Sequence, residues 1–181
     1  MFGGPDGYQR KDLALVVITK RNQILLLALG NDIMGDDAVA LLAARRLEYQ
    51  LGKTIDVVEA PVAGFALLDL MQGYDKVLIV DSAVTECHEP GAIYEIPLAD
   101  LPEDAFSSPH YAGLKDVISI AQRLQISFPT EIRILAIEVV DPFVLRESLT
   151  SQIHARVPDL VSEAERILQC WFAEVSDQAQ A

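Results

Sequence analysis

Acidic residues stand behind the apolar runs of this chain more often than surface charge alone requires. Behind Ile24–Leu29 comes Gly30-Asn31-Asp32-Ile33-Met34-Gly35-Asp36-Asp37. Glu59-Ala60-Pro61-Val62 follows Ile55–Val58, Asp81-Ser82 follows Lys76–Val80, and Glu138 follows Ile132–Ile137. Ser107-Ser108-Pro109-His110 lies just ahead of an apolar stripe that starts at Leu114. Carboxylates crowded into one cleft raise each other's pKa and cost stability unless they share a proton or a cation. Two carboxylates and one imidazole are also a donor set for a divalent transition metal with open positions. Each residue alone has a plainer role. Asp36 or Asp37 can cap the helix that follows, Asp81 can close an Asx turn, and His110 can sit in a turn.

Other motifs point away from familiar chemistries. The Gly30–Gly35 turn lacks G-x-G-x-x-G, and its aspartates would repel a pyrophosphate. No G-x-S-x-G elbow is present, which argues against a serine hydrolase of that type. Glu86-Cys87-His88-Glu89, placed before Pro90-Gly91, is expected to be a solvated turn. Cys170 beside Trp171 is expected to pack in the last helix, and His154 to lie on the surface. No Arg or Lys is predicted at the cleft, so an oxyanion there would rely on a metal or on backbone amides.

The elements that must position these residues follow from periodicity. Ile24–Leu29 is continuously apolar, as a strand covered on both faces should be. Val39, Leu42, Ala43, Leu47 and Leu51 have helical spacing, with Gly52 where that helix should stop. Strands are predicted at Ile55–Val58, Lys76–Val80, Ala92–Ile96 and Ile132–Ile137. Helices are predicted at Ala63–Met71, along the stripe Leu114, Val117, Ile118, Ala121 and Leu124, and in a last segment with Pro158 in its first turn. Such alternation predicts an α/β fold, a three-layer α/β/α architecture around a mostly parallel five-stranded sheet. Ligands bind such sheets beyond the carboxyl ends of the strands, which is where the acids fall.

The chain has 181 residues, 14 Lys+Arg against 27 Asp+Glu, and a net charge of −13. Its hydrophobic share of 51% suffices for a packed core and excludes disorder as the dominant state. Residues 1–22 carry four basic against two acidic residues, or +2, so the remainder carries −15. Such a body repels nucleic-acid phosphates and anionic lipid. No apolar run approaches the roughly 20 residues of a membrane span, and no secretory signal is read at the start. Two separate cysteines, Cys87 and Cys170, suit reduced thiols in a cytoplasm. The expected organisation is a leader over 1–22, flexible or adding an edge strand at Leu13–Thr19, then a single α/β domain over 23–175 and a frayed tail over 176–181.

Four blocks in register resemble the [NiFe]-hydrogenase maturation endopeptidases. They are Ile24–Asn31 with Gly35-Asp36-Asp37; Gly64–Leu68; Val80-Asp81-Ser82-Ala83 with Pro90-Gly91-Ala92; and Ser108-Pro109-His110 with Gly113–Val117. The resemblance spans roughly residues 24–170. It implies an endopeptidase, metal-assisted or aspartic-type, that removes a C-terminal extension from a hydrogenase large-subunit precursor once nickel has been inserted. Nickel carried by that precursor would be the recognition handle, and zinc or cadmium could enter the same site. The resemblance places metal ligands on Asp37, Asp81 and His110, and adds Asp36 to the catalytic set. Many members have Glu where Asp37 stands, and an Asp-Gly-Gly-Thr-like turn where Glu59-Ala60-Pro61-Val62 stands. The latter difference motivates one alternative, a non-cleaving homologue that binds the nickel-bearing precursor. A receiver-like signalling domain is the other, since it too has acids behind its first and third strands.

Overall fold

In the computed structural model the described residues are 24–101 and 113–178. The expected leader, with its candidate strand Leu13–Thr19, and the Ser107–His110 segment lie outside the described residues. Strands β1 (Ile24–Leu29), β2 (Asp56–Ala60), β3 (Lys76–Ala83), β4 (Ile93–Glu95) and β5 (Glu131–Glu138) form one sheet in the order β2-β1-β3-β5-β4. All pairings are parallel except that of β4 with β5. The short β4 is therefore an antiparallel edge, following the Pro90-Gly91 turn as its sequence suggested.

Helices α1 (Val39–Leu51), α2 (Ala66–Met71), α3 (Leu114–Arg123) and α4 (Ser151–Gln178) cover the sheet. Side chains of a strand alternate between faces, and the two cores record that alternation. Leu26, Ala28, Leu78 and Val80 pack with α1 and α4. Leu25, Leu27, Val77 and Ile79 pack with α2 and α3. Every residue of β1 is buried, which explains its unbroken apolar run. Helix α1 ends at Gly52, whose φ of 60° and ψ of −134° are a conformation open to glycine and outside the helix.

Three expectations need correction. Pro158 is not in the first turn of the last helix but inside α4, as its eighth residue. The helix begins earlier because Thr150 caps it, its hydroxyl accepting a hydrogen bond from the Ile153 amide at 3.3 Å. The proline ring removes one amide donor on the exposed face, while Ile153, Val157, Leu160 and Val161 are buried on both sides of it. Cys170 is exposed, because consecutive helical residues point about 100° apart and its neighbour Trp171 takes the core position. Leu124, expected in the α3 stripe, lies just beyond the helix and is exposed. Helix α4 is described as far as Gln178.

Candidate functional site at the carboxyl edge

Strand order places the site. From β1 the chain passes through α1 to β2 on one side, and β3 pairs with β1 on the other. The gap between β1 and β3 is thus the switch point where doubly covered sheets bind ligands. Pairing between them ends at Ala28 and Val80, whereas β3 stays paired with β5 as far as Ala83 and Glu138. Asp81 and Ser82 are the first residues of β3 beyond the β1 ladder.

Gly30 lets the opposite wall approach. Its φ is 152°, and a Cβ there would stand 2.2 Å from the Asp37 carbonyl oxygen. Only glycine permits that contact without moving the backbone that carries Asp37. The Asn31 side chain accepts from the Ile33 amide at 3.2 Å and shapes the turn. A short 3₁₀ turn, Gly35–Ala38, then leads into α1.

Among the described residues, the buried polar or charged side chains are Asp36, Asp37, Asp81, Ser82 and Glu138. All lie at this edge, but they divide into separate groups. Asp37 and Asp81 come together through Ser82. The Ser82 hydroxyl donates to Asp37 Oδ1 at 2.8 Å, and the Ser82 amide donates to Asp81 Oδ1 at 2.8 Å. Asp81 is wholly buried.

Asp36, next to Asp37 in sequence, has other partners. It accepts from the Thr150 amide at 2.6 Å, the Thr150 hydroxyl at 3.0 Å and Arg146 at 3.4 Å. The expectation that one of the pair caps the following helix is therefore corrected. Neither acid caps α1, which has no side-chain cap, and Asp36 instead holds the start of α4. The same loop is tied in by backbone, since the Gly35 amide donates to the Arg146 carbonyl at 2.7 Å and the Arg146 amide to the Ile33 carbonyl at 3.0 Å.

Glu138 is also committed. It accepts from the Thr85 amide at 2.7 Å, the Thr85 hydroxyl at 2.9 Å, the Glu86 amide at 2.9 Å and the Tyr94 phenol at 2.5 Å. Burial and that bond push the Tyr94 phenol well above its usual range. Residues 86–89 are exposed, as expected of a solvated turn, with His88 stacked on Tyr94 at 4.1 Å.

Contrary to expectation, cationic side chains do stand at this edge. Besides Arg146, Arg45 of α1 donates to both oxygens of Asp32 at 3.0 and 2.8 Å, and to both of Glu59 at 2.9 and 2.6 Å. Hydrogen bonds to Asp32 and Glu59 raise the Arg45 pKa, and the Arg45 bond lowers that of Asp32. Arg45 was missed because it sits two turns into a helix and returns to the edge only when α1 packs beside β2. Glu59, at the position of the Asp-Gly-Gly-Thr-like turn, is thereby the carboxylate of an ion pair.

His110 lies outside the described residues, so the third expected donor has no described position. Among the described residues no group of three Asp, Glu, His or Cys side chains is arranged to hold a metal ion. Two of the three expected donors, Asp37 and Asp81, are nonetheless joined through one residue. No helix among the described residues is long and apolar enough to cross a membrane.

A sheet covered on both faces, with two buried carboxylates joined at its switch point, defines an α/β protein of the doubly covered class. The family model for HycI, hydrogenase maturation protease, matches residues 39–167. The chain is 28% identical over 141 residues to the hydrogenase 2 maturation protease of Escherichia coli K12, covering 75% of this chain and 84% of that protein. It superposes on the hydrogenase maturating endopeptidase HybD from E. coli with a TM-score of 0.68 at 22% identity, over 81% of this chain and 91% of that one. For the [NiFe] hydrogenase maturation protease HybD from Thermococcus kodakarensis the TM-score is 0.62 at 26% identity, over 80% and 97%. The chain belongs to the hydrogenase maturation protease family and is a peptidase. The receiver-like alternative is thereby set aside.

Proposed function

We propose that this peptidase removes the C-terminal extension of a [NiFe]-hydrogenase large-subunit precursor after nickel insertion, recognising the nickel that the precursor carries. The observation that carries this reading is the pair of buried carboxylates, Asp37 and Asp81, bonded to one serine at the β1/β3 switch point. Carboxylate oxygens suit a divalent cation, and a buried pair gains most from one because its like charges are poorly screened. His110 completes the proposed ligand set, with the imidazole as a borderline donor suited to nickel, zinc or cadmium. Peptide hydrolysis needs a base to take a proton from the attacking water and a donor to return it to the departing amine. Asp37 and Asp81 are the groups proposed to supply that exchange, at a carbonyl held close by the substrate's own metal. Asp36 is proposed to act indirectly, by holding the α4 start against the wall that carries Asp37. The compartment proposed is the cytoplasm, where Cys87 and Cys170 would stay reduced.

Incubation with a nickel-loaded precursor, followed by intact-mass measurement of its C-terminus, tests this. Loss of the extension with nickel, and none without it, is the expected result. Complex formation with an unchanged mass would instead establish the non-cleaving, precursor-binding alternative raised by Glu59-Ala60-Pro61-Val62.

A further inference from the structure

We infer that Ser82 is the positioning residue that sets the two carboxylates of the site relative to one another for a divalent ion. The inference rests on the reading above that Asp37 and Asp81 address a metal.

Three observations lead to Ser82. First, it contributes to both acids at once, the hydroxyl to Asp37 Oδ1 and the amide to Asp81 Oδ1, each at 2.8 Å. The hydroxyl is the donor in its bond to Asp37 Oδ1. Second, the two acids reach the edge from different sides of the sheet. Alternation along β3 sets Asp81 with Val77 and Ile79, on the α2/α3 side, and Ser82 with Leu78 and Val80, on the α1/α4 side. Asp37 arrives on the α1/α4 side, at the end of the turn that opens α1. Asp81 and Asp37 therefore share no element, and Ser82 is the residue of β3 that bonds to both. Third, Ser82 is 3% exposed, so water does not readily substitute for its hydroxyl. Carboxylates that bind metals are ordinarily held by such hydrogen bonds, which fix the direction of their oxygens before the ion arrives.

A serine that merely fills buried space would affect stability and nothing else. Cadmium titration of the full chain by calorimetry separates the two roles. The signal of interest is the Cd²⁺ binding that wild type shows and D37N and D81N lack. S82A is expected to weaken it roughly 10- to 100-fold, with S82T, which keeps the hydroxyl, restoring it to within a few-fold of wild type. Equal affinity in S82A and wild type overturns the inference, as does a wild type without this binding. Should S82A fail to fold, S82V decides, since it matches the shape of threonine without a hydroxyl and adds no metal ligand; wild-type affinity in S82V also overturns the inference. Precursor cleavage by wild type is scored separately. If it fails while the S82A effect on cadmium stands, the proposed function falls and the role of Ser82 survives.

Discussion

The two ends of this sheet handle charge in opposite ways. At the amino end, Lys76 opens β3, Glu131 opens β5 and Asp56 opens β2, and each has a side-chain partner of opposite charge or a donor from the core rim. Lys76 pairs with Glu131 at 3.0 Å and with Glu174, while Trp171 donates to Glu131 at 2.7 Å and Tyr74 to Asp56 at 2.9 Å. At the carboxyl end the acids are buried, and each has its own kind of partner. Glu138 and Asp36 take main-chain amides and hydroxyls of neighbouring loops. Asp37 and Asp81 meet at one serine. Opposite charges at a wet surface contribute little to stability. Like charges brought together out of water cost stability unless a ligand or proton joins them. Under the function proposed above, the carboxyl end carries that cost for the sake of binding, and the amino end carries none.

The sharpest way to break this contrast is to neutralise the carboxyl end. Asp81→Asn and Asp37→Asn are expected to cut precursor cleavage by at least about 100-fold, within the range for losing an acid–base group, and to leave thermal unfolding close to wild type or raised. Retained cleavage alongside a collapsed melting temperature would reverse the roles assigned to the two ends. Gly30→Ala comes next. A positive-φ alanine costs about 1–3 kcal/mol, and its Cβ also displaces the Asp37 backbone, so urea midpoint and cleavage should fall together. Asp36→Ala is expected to lose about 1–3 kcal/mol by stranding the Thr150 amide and hydroxyl, with a smaller effect on cleavage per folded molecule than Asp37→Asn. An equal effect would return Asp36 to the catalytic set.

The smallest effect belongs to the amino end. Burial opposes ionisation of Glu131, but bonds from Lys76 and Trp171 outweigh it and hold the carboxyl below the usual glutamate range. A depressed folded pKa contributes stability above the unfolded value and loses it as pH falls below about 4. Glu131→Gln should therefore flatten part of the acid limb of unfolding free energy against pH, with precursor cleavage at pH 7 unchanged. An unaltered acid limb would show that the pair contributes nothing.

The strands and their order of appearance were legible because a parallel sheet covered on both faces requires continuous apolar runs, and β1, β3 and β5 are such runs. The acids were legible as a set because each stands at the end of an apolar run or in the turn beyond it. Their division was not. Asp36 and Asp37 are adjacent and chemically identical, and what separates them is a partner more than a hundred residues away, Thr150, brought near by the packing of α4 on α1. Arg45 escaped notice for the same reason, and so did the early start of α4, whose cap is reinforced by Asp36.

Sequence alone determined the fold class and placed the acids at one edge of the sheet, because hydrophobic periodicity and strand-end placement are local properties of the chain. It also carried the family resemblance, through residues standing in register. Only the tertiary structure decided which carboxylates are taken up by the α4 start and the β4 edge and which meet at Ser82. A carboxylate's role is set by the donors around it, and at this edge those donors come from elements distant in sequence. Ser82 makes the point: in the sequence it is one more small polar residue after a strand, and in the fold it touches both acids because two sides of a sheet converge there.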